Sequence, residues 1–506
     1  MKIIGRVLKK TAEIGFKRNQ FKGLSFSYQL KSLSYLLNKA KKTNFGKNHD
    51  FTAILNNENL IEAYQKEIPL VEYEEFYQTW LHRSIDGVKD NTWTGKIKYY
   101  ALSSGTTGSP SKRIPVTKES IKSFQKTSMN QVVMLHQLDL PVEFFQKSLL
   151  IVGGSPELTS IENHVEGDLS GILKKHTSWL VTPFTEPNNK IAEIKDWNKK
   201  LEKMVEEAPS WDIGIVAGVP SWCIMLLEKI VEFHKLNSIH DIWPNFHVYV
   251  HGGVFIQPYL KRLERVCGQK VHLLDTYLAS EGYFAYQSIP NSNSMKLLLN
   301  NSIFYEFIPF DDKHFTTEGK IINRHKALTV NEVESNVDYA LVISTNAGLW
   351  RYIIGDLVQF TDVAARQLKI SGRIKQYLSL VGEHLSLDNI NQALENVSKE
   401  MQVEMQEFCI YTDVANQRHS WTIGVEKEID SELFIQKIDE ELCALNDDYK
   451  GVRKASLNPP TLTSIDTNLF YKFMENMGKL GSQNKFPRVM NEFQASEWKR
   501  FLSENK

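Results

Sequence analysis

The stretch from Tyr99 to Val116 reads YYALSSGTTGSPSKRIPV and places hydroxyls, glycines and two cations between two apolar ends. Glycines let a backbone approach a ligand closely, consecutive N–H groups form an anion nest, and Ser and Thr hydroxyls add uncharged donors. The stretch therefore predicts a phosphate-binding loop, with Lys112 and Arg113 neutralising the bound charge. The alternative is a Gly- and Ser-rich surface turn that joins two strands.

The loop differs from the G-x-x-x-x-G-K-[ST] type that binds phosphate in P-loop proteins. Pro110 stands five residues after Gly105, and Lys112 is followed by Arg113 rather than by a hydroxyl residue. A P-loop nucleotide hydrolase is therefore disfavoured, and the identity of the loop depends on motifs elsewhere in the chain.

The composition is that of an ordinary globular protein. The chain has 506 residues, of which 42% are hydrophobic and 24% charged, so we expect two or three domains. Lys plus Arg equal Asp plus Glu at 60 each, which gives no reason to expect a nucleic-acid partner. No apolar run approaches the roughly 20 residues of a membrane span, so we expect no membrane partner. We expect a monomer or weak homo-oligomer.

The four cysteines are dispersed, which argues against a zinc site and against a disulfide framework. They are Cys223, Cys267, Cys409 and Cys443. A reducing, cytoplasmic location follows as the expectation. The N-terminal segment is rich in Lys and Arg, and Leu30, Leu33, Leu36 and Leu37 recur at helical spacing. This pattern favours a basic-faced helix that packs on the main body of the protein.

The residue pattern changes near residue 90, from helical periodicity to short β-rich runs separated by helical ones. The clearest runs are SLLIV at Ser148–Val152, DIGIVA at Asp212–Ala217 and HVYVH at His247–His251. Such alternation predicts an α/β fold. We expect a large multi-layered N-terminal domain, with β-sheets and a distorted barrel flanked by helices, over residues 1–372. A hinge at 373–386 and a small α+β C-terminal domain at 387–506 complete the predicted organisation.

A second motif, DTYLASEGYFAY, spans Asp275–Tyr286 and follows an apolar run that would end a strand. Polar groups at the carboxyl end of a strand are well placed for a ligand crevice. Tyr277 could offer a face to a purine, Ser280 a hydroxyl to a phosphate, and Glu281 a carboxylate to Mg²⁺. The alternative is an aromatic core edge with one solvated glutamate, an interpretation that we favour for Tyr283, Phe284 and Tyr286.

A third motif, GLWRYIIGDLVQF, spans Gly348–Phe360, and Gly355 and Asp356 interrupt its apolar β pattern. A carboxylate fixed at such a break can accept hydrogen bonds from ribose hydroxyls, as acidic residues do in dinucleotide sites. The alternative is an ordinary Gly-Asp hairpin turn.

Together and in this order, SSGTTG at Ser103–Gly108, YLASE at Tyr277–Glu281 and YIIGD at Tyr352–Asp356 resemble the motifs of a known family. This is the auxin-responsive Gretchen Hagen family of acyl-acid amido synthetases, within the superfamily of acyl-adenylate-forming enzymes. Flanking segments extend the resemblance over nearly the whole chain. They include GVPSW at Gly218–Trp222, HGG at His251–Gly253, the Gly372–Arg373 pair, LNDDYKGVR at Leu445–Arg453 and KFPR at Lys485–Arg488.

The resemblance implies a two-step ligase that uses ATP and Mg²⁺. A small carboxylic acid would become an acyl-adenylate, and the amine of an amino acid would then displace AMP to form an amide. In-line displacement at phosphorus spreads negative charge over oxygens, so positioning and electrostatic stabilisation carry such catalysis.

The resemblance also implies roles for individual residues, with Lys485, Glu281 and Thr106 as the catalytic residues. Lys485 would come from the small C-terminal domain; the other interpretation is a surface lysine near the chain end. The implied binding residues are Ser103, Ser104, Gly105, Thr106, Thr107 and Gly108 for phosphates, Gly252, Gly253 and Tyr277 for adenine, Ser280 for the α-phosphate, Glu281 for Mg²⁺ and Asp356 for ribose.

The chain departs from the plant pattern at two positions, which suggests a bacterial branch of the family. Ile353 stands where plant members usually carry arginine, although Arg351 is close by, and Asn484 replaces an aromatic residue before Lys485. Both departures leave the acid and amine specificities open. Two other functions stay open: transfer of the acyl group to coenzyme A or another thiol, and nucleotide binding without turnover.

Overall fold

The structure is a computed structural model, and it describes residues 9–10, 12–15, 24–103, 112–153, 158–177, 182–316, 319–374, 378, 380, 385–481 and 485–505. The α-helices are Ser27–Ala40, Asn44–Asn48, Phe51–Leu55, Leu60–Glu67, Tyr73–Phe76, His82–Ile85, Lys118–Met134, Leu169–Lys175, Asn189–Ala192, Trp197–Glu207, Pro220–Phe233, Leu260–Val266, Leu387–Glu400, Ser431–Leu445, Asp447–Ala455, Asn468–Asn476 and Glu492–Glu504. A π-helical turn at Tyr77–Leu81 joins two of the short helices.

The strands in chain order are β1 Tyr99–Ser103, β2 Lys112–Val116, β3 Ser148–Val152, β4 Thr159–Ser160, β5 Val165–Gly167, β6 Thr185–Glu186, β7 Ile213–Gly218, β8 Val248–Gly252, β9 His272–Ala279, β10 Gly282–Tyr286, β11 Met295–Leu297, β12 Ile303–Pro309, β13 Asp338–Thr345, β14 Tyr352–Asp362, β15 Gln367–Arg373, β16 Met405–Asp413, β17 Arg418–Val425, β18 Thr461–Asp466 and β19 Val489–Met490. The strands predicted near residues 148, 212 and 247 are confirmed.

A four-stranded sheet, in the order β2-β1-β5-β4, carries both arms of the predicted phosphate loop. β1 and β2 are antiparallel, and Ser103 pairs with Lys112 where the two strands leave the ladder. Residues 104–111 lie outside the described residues, so the loop at Ser104–Gly108, including Thr106, remains a prediction. Arg113 is the second residue of β2, and its Nε donates to Glu166 Oε2 on β5 at 2.7 Å.

The second sheet has eleven strands in the order β12-β13-β14-β15-β11-β10-β9-β8-β7-β3-β6. Strands from β12 to β9 pair antiparallel, whereas β9, β8, β7, β3 and β6 pair parallel. β9 is therefore the strand at which the sheet changes from antiparallel to parallel pairing. The carboxyl ends of parallel strands gather at one edge, which is where α/β proteins place ligands.

The antiparallel strands for which a distorted barrel was expected form one end of this sheet. The strand register shifts between Ala340 and Val342 on β13. On β14, Ile354 to Asp356 form a bulge opposite this position. Gly355 has φ +96°, a conformation that favours glycine, and it explains why the apolar pattern of β14 is interrupted there. The predicted break at Gly355 and Asp356 is confirmed as a bulge inside a long strand rather than a hairpin turn.

Helices cover both halves of the large sheet. Trp197–Glu207, Pro220–Phe233 and Leu260–Val266 pack on the parallel half around buried Trp222 and Tyr249. The helix Ser27–Ala40 packs on the antiparallel half through Leu33, Leu36 and Leu37. Leu30 was expected on the same buried face, but it is 40% exposed, because it lies beside the buried stripe. None of the helices in the described ranges is long and apolar enough to cross a membrane.

The smaller C-terminal domain is built on the sheet β18-β17-β16-β19. Side chains alternate along β16, so that Phe408 and Ile410 face the helices Leu387–Glu400 and Ser431–Leu445, while Cys409 faces Trp498 on the opposite side. The helices Leu387–Glu400 and Ser431–Leu445 begin and end at these residues, and together with the sheet they give this domain the α+β composition that the sequence predicted. The limits of the hinge at 373–386 remain a prediction.

Candidate active site

A cavity of about 3060 Å³ lies at the carboxyl ends of β7, β8 and β9, between the large sheet and the C-terminal domain. It brings together every described residue that the sequence nominated for the site. These residues are Ser103, Gly252, Gly253, Tyr277, Ser280, Glu281, Asp356 and Lys485. The motifs come from separate parts of the chain, and the sheet order places them side by side.

Asp356 is the best-anchored carboxylate of the cavity. Its Oδ2 accepts a hydrogen bond from Tyr277 Oη at 2.7 Å, and its Oδ1 lies 2.8 Å from Arg373 Nε. Arg373 is its cross-strand partner in the β14–β15 ladder, and the Ile374 N–H donates to the Gly355 carbonyl at 2.9 Å. The bulge thus aims Asp356 at a tyrosine on one side and an arginine on the other.

Tyr277 lies on β9 with its ring packed edge-on against Phe284, at 4.9 Å between centroids. It is only 3% exposed, so the ring has little free face for the purine contact that the sequence suggested. Burial, followed by the charge of Asp356, raises the pKa of the Tyr277 hydroxyl well above its ordinary value. The hydroxyl stays protonated and orients Asp356. Tyr283, Phe284 and Tyr286 are core residues, as predicted.

Glu281 is a second buried carboxylate, 8% exposed, in the turn between β9 and β10. Tyr352 Oη makes a long contact of 3.5 Å to Glu281 Oε1. Burial raises the pKa of Glu281, and the positive charge of Lys112 opposes that shift. A buried carboxylate whose pKa is raised by burial is suited to a cation from outside the chain.

Lys485 reaches into the cavity from the segment that precedes β19. A Cβ placed on Gly253 would lie 2.6 Å from Lys485 Nζ, so the ammonium group closely approaches the Gly252–Gly253 backbone. Lys485 is an exposed residue that lines the cavity. Desolvation of its ammonium group, reinforced by the charge of Arg373 and opposed by that of Asp356, lowers the pKa of Lys485 to about 8. The structure thus places Lys485 in the cavity and not on the outer surface.

His251 and Asp275 form a further polar pair at the same edge of the sheet. His251 Nδ1 lies 3.5 Å from Asp275 Oδ1, and the two residues are register partners in the parallel β8–β9 ladder. Burial lowers the pKa of His251 to about 4 and raises that of Asp275 to about 7. His251 is therefore neutral near pH 7, whereas Asp275 titrates in this range.

One cation of the site was missed by sequence reasoning: Arg373 was assigned to the hinge at 373–386 and not to the site. Lys112 was predicted to neutralise bound charge. It begins β2, and its charge acts on Glu281. Arg351, by contrast, does not face the cavity, because it is fully buried in an ion pair with Glu306 at 2.9 Å.

No group of three or more His, Cys, Asp or Glu side chains within the described residues is arranged to hold a metal ion by itself. Any divalent cation in this cavity would need ligands from a bound substrate in addition to Glu281. Such sharing is usual for Mg²⁺, which is commonly bound by one or two carboxylates together with phosphate oxygens.

The fold is mixed α/β with a large N-terminal part and a smaller C-terminal domain, and residues of both line the cavity. Three family models match the sequence: the GH3 family N-terminal domain over residues 24–202, the GH3 family central domain over 296–373 and the GH3 family C-terminal domain over 388–494. The chain therefore belongs to the GH3 family, as the motifs indicated.

Curated relatives include plant amido synthetases. The chain is 27% identical over 187 residues to a probable indole-3-acetic acid-amido synthetase, GH3.11, of Oryza sativa subsp. japonica, which covers 34% of this chain and 31% of that protein. It is 22% identical over 505 residues to the jasmonoyl–L-amino acid synthetase JAR4 of Nicotiana attenuata, with 85% of each covered. The chain spans only 30% to 54% of the length of the first four curated relatives that it matches.

Solved structures share the fold. The GH3.15 acyl acid amido synthetase superposes with a TM-score of 0.79 at 16% identity, covering 97% of this chain and 96% of that one. A 2-hydroxyisobutyryl-CoA ligase in a postadenylation state, in complex with 2-HIB-AMP, superposes with a TM-score of 0.61 at 13% identity, covering 94% and 91%. The mixed α/β architecture with a smaller C-terminal domain is thereby confirmed.

Proposed function

We propose that this protein uses ATP to activate a carboxylic acid as an acyl-adenylate and then transfers the acyl group to the amine of an amino acid. One observation carries the proposal. In a chain of the GH3 family, Tyr277, Glu281 and Asp356 of the large domain share a cavity with Lys485 of the small domain. Two buried carboxylates and three nearby cations suit a nucleotide with its ribose, its polyphosphate and a metal ion.

In the first step, an oxygen of the acid's carboxylate bonds to the α-phosphorus of ATP, and the bond from that phosphorus to the bridging oxygen breaks. Pyrophosphate leaves. Asp356, held by Tyr277 and Arg373, would accept hydrogen bonds from the ribose hydroxyls and so position the nucleotide. Lys485 would place its ammonium group against the α-phosphate oxygens, where negative charge grows in the transition state. Ser103 and Ser280 line the same cavity and would add hydroxyl donors.

Glu281 is the residue that would hold Mg²⁺. Its carboxylate is buried, makes a long contact of 3.5 Å with Tyr352 and has a raised pKa, so a hard divalent cation would relieve its desolvation. When bound, Mg²⁺ supplies neutralisation of phosphate charge. The phosphate side of the site would be completed by the predicted loop at Ser104–Gly108.

In the second step, the amine nitrogen of the amino acid attacks the acyl carbon, the bond from that carbon to the AMP oxygen breaks, and the ammonium product loses a proton. Relatives of the chain include an indole-3-acetic acid-amido synthetase and a jasmonoyl-L-amino acid synthetase. For this chain we propose only a small carboxylic acid and an amino acid as substrates.

The four free cysteines agree with a cytoplasmic location, which we also propose.

Product analysis tests the proposal against its main competitor. ATP, Mg²⁺, a panel of carboxylic acids, an equimolar mixture of amino acids and coenzyme A are offered together, and products are identified by mass spectrometry. We expect an N-acyl amino acid and AMP, both absent with the Asp356→Ala and Glu281→Ala variants. A thioester without any amide would instead assign the protein to the coenzyme A ligases, whose fold it shares.

A further inference from the structure

Three side chains join the two domains through buried hydrogen bonds close to the cavity. Tyr259 Oη donates to Glu407 Oε1 at 2.9 Å and accepts a hydrogen bond from Arg488 Nη2 at 2.8 Å. Arg488 Nη1 lies 2.6 Å from Glu407 Oε2. Tyr259 belongs to the large domain, whereas Glu407 on β16 and Arg488 before β19 belong to the small domain. We name these three residues the interdomain triad.

The interdomain triad is shielded from solvent. Tyr259 is 1% and Glu407 3% exposed. Arg488 is further held by the ring of Phe408, 4.5 Å from its guanidinium carbon, and by the Phe408 carbonyl, to which Nη1 donates at 3.0 Å. A buried ion pair is costly to leave partly unsatisfied. Since the Tyr259 hydroxyl both accepts from and donates to this pair, it fixes the small domain against the large one.

Two residues of the interdomain triad are close in sequence to residues that line the cavity. Tyr259 closes the 3-10 turn Gln257–Tyr259, which follows the Gly252–Gly253 segment. Arg488 follows Lys485 in the KFPR segment. The close approach of Lys485 Nζ to Gly253 therefore depends on the alignment of the two segments that the triad ties together.

We propose that Tyr259, Glu407 and Arg488 are positioning residues that hold Lys485 in the nucleotide cavity, and so act on the adenylation step through Lys485. The placement of Lys485 follows from contacts in the structure. Its consequence for adenylation rests on the proposed function.

A second ion pair between the domains provides a matched control. Arg265 of the large domain pairs with Glu404 of the small domain, but the two side chains are 51% and 41% exposed. Exposed pairs contribute little to stability, because water screens them. Glu404→Gln should therefore leave Lys485 in place, whereas Tyr259→Phe should not. Tyr259→Phe removes one hydroxyl and keeps the Glu407–Arg488 pair, so the protein should fold.

The first experiment needs no activity. Competitive lysine labelling, read by mass spectrometry across pH 6 to 11, gives the midpoint pH at which Lys485 becomes reactive. We expect a midpoint near 8 in the wild type and in Glu404→Gln, because the surroundings of its ammonium group in the cavity lower the pKa of Lys485. In Tyr259→Phe the midpoint should rise toward the ordinary value of 10.5. A midpoint that stays near 8 in Tyr259→Phe would overturn the proposal.

The second experiment is a double-mutant cycle on ATP–pyrophosphate exchange. Tyr259→Phe should slow exchange about tenfold, as expected for loss of one buried hydrogen bond, and should have no further effect in a Lys485→Ala background. If the double variant instead lost exchange activity by the product of the two single losses, Tyr259 would act independently of Lys485 and the positioning role would be refuted. Absence of exchange in the wild type would refute the proposed function alone, and the labelling result would still decide the role of the triad.

Discussion

Tyr277 Oη donates a 2.7 Å hydrogen bond to Asp356 Oδ2, which connects the strand where the large sheet changes from parallel to antiparallel with the Gly355 bulge of β14. Both partners are buried, and Arg373 balances the charge of Asp356 from the neighbouring strand. The carboxylate therefore has a fixed direction before any ligand arrives. Preorganisation of this kind is what a nucleotide site needs to bind tightly and in one pose.

Removing the Tyr277 hydroxyl should weaken ATP binding. Tyr277→Phe keeps the ring against Phe284 but frees Asp356 to rotate, so we expect the Kd for ATP to rise about tenfold, the size of one charge-assisted hydrogen bond. Isothermal titration calorimetry with ATP and Mg²⁺ measures the change. Tyr35→Phe on the exposed face of an N-terminal helix is the control and should leave Kd unaltered. Equal affinities for Tyr277→Phe and wild type would show that Asp356 needs no such anchor.

Arg373 should be required for the same reason and for its charge. Arg373→Gln leaves Asp356 without its cation, and we expect ATP affinity to fall more than in Arg373→Lys, because Lys restores the charge without the planar fork. Fluorescence titration with a nucleotide analogue ranks the three proteins. If Arg373→Gln bound as well as the wild type, Arg373 would be only a strand residue that happens to face the cavity.

Gly253 should be sensitive to a single methyl group. The Cβ of Gly253→Ala would lie 2.6 Å from Lys485 Nζ, so the lysine must leave its position. We expect pyrophosphate exchange to fall at least tenfold while the fold is retained.

Gly95→Ala is a matched control for the Gly253 substitution. Gly95 has φ +79°, close to the +84° of Gly253, but nothing lies within 4 Å of its added Cβ. It tests the strain of the positive φ without the collision. Similar activity losses in the two variants would mean that backbone strain, and not displacement of Lys485, explains the effect.

The adenylation step should depend on pH through Lys485. Its pKa is lowered to about 8, so the ammonium form that stabilises the α-phosphate is present below that pH and is lost as the pH rises through it. We expect the rate of exchange to decline above pH 8, measured with saturating ATP and Mg²⁺. Bound phosphates would move the decline to higher pH, because they favour the charged lysine.

Lys485→Arg separates this titration from other alkaline effects. Arginine stays charged throughout the accessible range, so the variant should retain its own, lower activity at pH 9 without the decline. A parallel alkaline loss in wild type and Lys485→Arg would assign the titration to a different group.

Local sequence patterns were sufficient for much of the fold. Continuous apolar runs such as Ser148–Val152 predict strands, and the structure has a strand with these bounds. The order of the eleven strands is different, because it depends on long-range pairing that no local pattern records. The expectation of a barrel arose there, where antiparallel strands were recognised without their neighbours.

The site shows the same division. Glu281 was found because its motif follows an apolar run that would end a strand, and Asp356 because it interrupts the apolar pattern of its own motif. The hydrogen bond between Tyr277 and Asp356 joins residues 79 positions apart, and that between Tyr259 and Glu407 joins residues 148 apart. Such contacts follow from strand order and domain placement, so only the structure could show them.

The central claim is that this cavity forms an acyl-adenylate, and ATP–pyrophosphate exchange tests it most directly. Labelled pyrophosphate should enter ATP in wild-type protein only when Mg²⁺ and a suitable carboxylic acid are present, and the label should not enter ATP with Asp356→Ala. If no acid from a broad panel supports exchange, although calorimetry shows that the protein binds ATP, the site would bind nucleotide without activating an acid and the account would be contradicted.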